Sequence, residues 1–124
     1  MGMSYTGKAM EEIISYWIES VHVAKRLEEL SEYTNEAARI YESAECIMND
    51  AESRLKAAVE TAIKSGSGEF AKYRNTDYSD SMEELVEMLY EQFDGIYGSS
   101  REEQATRFYQ ILESCMDGVL LKTA

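Results

Sequence analysis

The chain has no proline and a single histidine among its 124 residues. Without proline it lacks the strongest helix breaker, and glycine, serine and asparagine must do the punctuating. One histidine, His22, rules out the paired Glu-x-x-His motifs of ferritin-like di-metal bundles. Cysteine is scarce. Cys46 and Cys115 form no CxxC pair and have no histidine at metal spacing. Both fall on or beside apolar helical positions, so they are expected as buried free thiols, with a disulfide only if their helices meet. That usage fits a reducing cytoplasm. No apolar run approaches the ~18 residues of a membrane span. The first ten residues show no charged leader before an apolar stretch, so no secretory signal is expected. Positive charge is also scarce: 12 Lys and Arg stand against 24 Asp and Glu, for a net charge of −12. Direct binding to nucleic acid or anionic lipid needs cations to neutralise phosphates, so both are disfavoured. A basic protein surface is what this field attracts.

What the chain does have is helical periodicity. Met10, Ile14, Trp17, Val21 and Ala24 make one apolar stripe, and Tyr16, Val23, Leu27 and Leu30 make a second. They place a first helix at about Thr6 to Leu30, apolar over an arc wide enough to be buried on two sides. The next helix, about Asn35 to Lys64, segregates its faces most cleanly. Ala37, Ile40, Tyr41, Ala44, Ile47, Met48, Ala51, Leu55, Ala58, Val59, Ala62 and Ile63 lie on one side. Glu42, Glu45, Asn49, Glu52, Lys56 and Glu60 lie on the other, with Glu52–Lys56 and Glu60–Lys64 ordered as favourable i,i+4 pairs. Its alanines permit close helix approach.

Between these helices, Ser31 to Asn35 contains no glycine or proline. One continuous coiled-coil helix is therefore the alternative to a break. Ser31, Thr34 and Asn35 favour the break, because their side chains can cap a new helix. Residues 65–79 read as a flexible surface linker, with glycines capping the helix before it and aromatics that pack back on the bundle; a short helical turn over part of it is the alternative. Ser81 and Glu84 form a capping box that opens a third helix, which Gly95 ends. A second box, Ser100 and Glu103, opens a fourth helix with Ala105, Phe108, Leu112, Cys115, Met116 and Val119 as its buried stripe. No segment alternates like a strand. The expected fold is a single all-α domain over 1–124, a bundle of about four helices, two long N-terminal and two shorter C-terminal.

Charge is uneven along this framework. Five carboxylates and no basic residue lie between Met82 and Gly98. Asp80, Glu84, Glu87, Glu91 and Asp94 recur at spacings of 4, 3, 4 and 3, which sets them in one stripe. Neighbours lie ~4.5–6 Å apart along the axis, of the order of the phosphate spacing along a DNA strand. Acids near the helix start are ordinary partners of its dipole. Glu87, Glu91 and Asp94 lie further along and repel one another.

Glu42-x-x-Glu45 and Glu91-x-x-Asp94 are paired acidic motifs on two helices. They resemble the motifs of the all-helical nucleotide pyrophosphatases of the MazG type. That resemblance covers four residues only and implies Mg²⁺ held between helices. The separation of the two motifs is longer than the family's pattern. His22 reads as a partly buried or surface residue. No nucleophile elbow, Cys–His pair or phosphate loop is present.

The sequence therefore reads as a non-enzymatic acidic binding protein, with no catalytic residue, metal or cofactor assigned. The expected contact set is Asp77, Asp80, Glu83, Glu84, Glu87, Glu91 and Asp94, with Tyr73, Tyr78 and Tyr97 as aromatic anchors in the adjoining connections. The partner is a basic, nucleic-acid-binding protein. Occlusion of its basic groove is the expected mechanism, as in viral or mobile-element inhibitors of the anti-restriction and anti-CRISPR kind, an analogy of size and charge. Two alternatives come from other classes: a helical adaptor or assembly subunit that self-associates as a homodimer through its first two helices, and a Mg²⁺-dependent nucleotide hydrolase using Glu42, Glu45, Glu91 and Asp94.

Overall fold

The computed structural model describes residues 2–66, 68–97 and 100–121, with the backbone alone for 2–9, 101 and 102. Gly98, and residue 67 of the expected linker, lie outside the described residues. The fold is all-α: helices α1 (Gly2–Ser31) and α2 (Ala37–Ser65), a 3-10 helix (Gly68–Tyr73), then α3 (Tyr78–Glu91), the single turn α4 (Phe93–Ile96) and α5 (Arg101–Leu120). No strand occurs among the described residues.

The chain breaks between α1 and α2, and the two long helices fold back on each other as a hairpin. Small polar residues make the break, though not by capping α2. Ser31 Oγ donates back to the Glu28 carbonyl (2.6 Å), and the Glu36 amide donates to Thr34 Oγ1 (3.2 Å). Glu36 itself occupies the N-cap without a side-chain bond. Buried Ala24, Ala44, Ala51 and Ala62 line the hairpin and let the backbones approach. Gly66 closes α2 in the left-handed conformation (φ 67°), its amide bonded to the Ile63 carbonyl.

The core forms where α3, α4 and α5 pack on one side of this hairpin. Trp17 is its centre, fully buried and edge-on to both Phe93 (6.0 Å) and Phe108 (5.5 Å). The stripe Met10, Ile14, Trp17, Val21 and Ala24 is buried as its spacing predicts, and so are Phe108, Leu112, Cys115, Met116 and Val119 of α5.

Four expectations are corrected. The second α1 stripe is not buried: Tyr16, Val23 and Leu30 are exposed and Leu27 is half-buried, because among the described residues no element packs on that side. Cys46 is exposed, so Cys115 alone is a buried thiol, and no disulfide joins them. Ser81 does not cap α3. The helix starts a turn earlier at Tyr78, and Ser81 Oγ bonds back to the Asp77 carbonyl (3.1 Å). Lys56 leaves its own-helix neighbour Glu52 and bridges instead to Glu83 of α3. The box at Ser100 does form, with Oγ accepting the Glu103 amide at 3.4 Å.

The segment 65–79 is structured. Its 3-10 helix buries Tyr73 to 2% exposure, and the Tyr73 hydroxyl donates to Asp117 of α5 (2.6 Å). Phe70 and Tyr78 also pack against the core, and the segment is pinned at three aromatic points.

Candidate functional site

Helix α3 buries Met82, Leu85, Val86 and Leu89, a 3/4-spaced set that turns the residues between them outward. Asp77, Asp80, Glu83, Glu84, Glu87 and Glu91 are all exposed, and Asp94 is exposed on α4. The stripe therefore exists as a surface, although its last member sits on a separate turn. Helix α3 ends at Glu91 rather than at Gly95, and Gln92 separates it from α4. From Asp77 to Glu91 the carboxylates extend over ~21 Å at 1.5 Å per residue.

Cations are nearly absent from this face. Lys56 bonds Glu83. Among the described residues no Lys or Arg pairs with Asp80, Glu87, Glu91 or Asp94. A residue that the sequence left on another helix joins the face: Glu52 of α2. Its carboxyl is held above the usual range by partial burial, against the pull of Lys56, with Glu83 and Glu87 adding repulsion. Nothing in the local pattern around Glu52 signals this, because the packing of α2 on α3 creates it.

The aromatic anchors fare differently. Tyr73 is a core residue and offers no surface, since its 3-10 helix turns the ring inward onto α5. Tyr78 is half-buried in a shallow notch with Lys64, Ala71, Arg74 and Asn75. Tyr97 is half-buried and uses its ring within the fold. It stacks on His22 of α1 (4.5 Å, 13°) and on Phe93 (5.4 Å). His22 is thus a packing partner, and Lys25 lies over the Tyr90 ring at 4.9 Å beside it.

The four acids of the MazG-type resemblance do not converge. Glu42 and Glu45 sit exposed on α2, and among the described residues no group of three or more His, Cys, Asp or Glu is placed to hold a metal ion. A second acidic cluster, which the sequence did not indicate, surrounds the 3-10 helix. Lys72 reaches Glu113 (3.6 Å) and Asp117 (3.4 Å) of α5. Glu69 hydrogen-bonds Glu113, which holds the Glu69 carboxyl above its usual range. Asp117 is held below it, first by the Tyr73 hydroxyl and then by Lys72. These contacts tie the 3-10 helix to α5, a role of attachment. Among the described residues no helix is long and apolar enough to cross a membrane. Against known proteins, no family model, no curated protein and no solved structure matches the chain.

Proposed function

We propose that the protein is a non-enzymatic binding module whose α3 face docks on a Lys- and Arg-rich surface of a partner, occupying a groove that otherwise receives nucleic acid. One observation supports this reading above others: seven exposed carboxylates from Asp77 to Asp94, of which Asp80, Glu87, Glu91 and Asp94 have no Lys or Arg paired with them among the described residues. Like charges at i,i+4 such as Glu87 and Glu91 cost an isolated helix a few tenths of a kcal/mol, and a cationic partner removes that cost. Tyr78 and Tyr97 flank the face with part of each ring exposed, whereas Tyr73 takes no part.

The test is capture of partners on the immobilised chain followed by elution in a salt gradient. The expected result is a nucleic-acid-binding protein released at moderate salt, as screening demands. The double substitution Glu87→Lys and Glu91→Lys should weaken that capture at least about tenfold, and more steeply at low salt. Undiminished capture by the variant would overturn the reading.

A further inference from the structure

The hairpin has a second side that no other element covers among the described residues. On α1, Tyr16, Val23 and Leu30 recur every seven residues, so they share one stripe, and they are 41%, 42% and 54% exposed. Half-buried Leu27 lies between them, and half-buried Ile40 and Ile47 flank them on α2. This side faces away from α3–α5. Lys25, which meets Tyr90, stands nine residues from Tyr16, and Lys56, which meets Glu83, stands nine residues from Ile47. Nine residues are a half-turn beyond two full turns at about 100° each. The two helices are joined across this side at one end, where Tyr16 bonds Asp50 and Arg54 lies over the Tyr16 ring.

We infer that this open side is a self-association surface, where a second copy of the chain packs antiparallel to complete a bundle of four long helices. Three features select a copy of itself as the occupant. The stripe is symmetric about its middle: with a two-fold axis at Val23, Tyr16 of one copy meets Leu30 of the other, and Leu30 meets Tyr16, as an isologous contact requires. The charges at its lower end cancel, Arg54 bonding Asp50 at 3.2 Å. In a molecule of charge −12, this is a side on which two copies meet with their acidic α3 faces turned outward and apart. The size fits a weak, concentration-dependent dimer: with the axis at Val23, α1 overlaps its copy over residues 15–31, ~24 Å at 1.5 Å per residue, and a face ~20 Å wide then gives roughly 500 Å² per partner, at the small end of specific interfaces. The consequence is a particle with two opposed acidic faces.

The mass of the full chain in solution, by light scattering after gel filtration between about 1 and 100 µM, tests this. The expected mass is twice 14.1 kDa. The pair Val23→Lys and Leu30→Lys should raise the dimer dissociation constant at least about tenfold with helical content unchanged, because both side chains are exposed in the single chain. Glu87→Lys should leave the dimer intact. Should the double variant fail to fold, Val23→Cys in a Cys46→Ser background decides. A short bis-maleimide should link two copies through position 23 and should not do so through Glu87→Cys. A monomer throughout the range, a dimer untouched by the Val23 and Leu30 substitutions, or no cross-link at position 23 would each overturn the inference.

Discussion

Tyr73 shows how much one side chain decides here. In the sequence it stands in a Gly- and Ser-bounded stretch, where it reads both as an aromatic that packs back on the bundle and as an anchor for a partner. Folding buries it, and its hydroxyl takes Asp117 as acceptor. Its phenol is pushed well above the ordinary range, first by burial and then by the hydrogen bond and charge of Asp117. In the folded chain it stays protonated where an unfolded tyrosine, titrating near 10, has ionised. Its stabilisation is therefore complete below pH ~10 and declines above it, by up to ~1.4 kcal/mol per pH unit. Tyr73→Phe should lose ~0.5–1.5 kcal/mol at pH 7 and show a shallower alkaline decline, both measurable by urea unfolding between pH 7 and 11. Glu52 has the opposite balance at neutral pH. Its raised carboxyl means that the folded state favours the protonated form. That contribution is present at acid pH and is lost as pH rises through the folded-state value. Glu52→Gln should therefore raise Tm at pH 7 by about 1–3 °C, a gain that thermal melts at pH 4 should no longer show. Neither residue's role is legible in its neighbours along the chain, because each depends on a helix tens of residues away.

At the level of the elements, two glycines, one that ends α2 and one inside α5, call for opposite predictions. Gly66 holds a left-handed φ of 67°, and a Cβ there would lie 3.0 Å from Arg74 Cδ. Gly66→Ala should destabilise by ~1–2 kcal/mol, mostly from the backbone conformation. Gly118 lies within α5 with nothing within 4 Å of an added Cβ, so Gly118→Ala should stabilise by ~0.5–1 kcal/mol. Chemical denaturation of the two variants beside the parent checks both signs. The four helices α1, α2, α3 and α5 were readable from apolar spacing and the Ser100 cap from its capping box, whereas the 3-10 helix and the separate turn α4 were not. Boundaries were readable less often. The Ser81 box lost to an earlier start because Tyr78 packs against the core and carries the helix back by a turn. The early end of α3 at Glu91 likewise follows from Phe93 and Ile96 being drawn into the core on their own turn.

For the whole molecule, Trp17 joins the hairpin to everything packed on it, with Phe93 and Phe108 against its two edges. Trp17→Ala should cost ~3–5 kcal/mol, a large part of the 5–15 kcal/mol typical of a domain. It should lower a single cooperative thermal transition rather than split it, as calorimetry would register. The sequence by itself determined the all-α class, the two long and two shorter helices, the inward stripe of α5 and the run of carboxylates along α3. Those follow from local periodicity, capping chemistry and charge, which need no knowledge of neighbours. Only the tertiary structure decided which of the two α1 stripes is covered. A helix apolar on two sides fits equally well between two layers or at the edge of one, and α3–α5 lie on one side alone. It alone also moved Lys56 from Glu52 to Glu83, drew Tyr73 out of reach of any partner and left Tyr16, Val23 and Leu30 in solvent. Each of those outcomes depends on which surfaces meet, and meeting is a property of the packed chain.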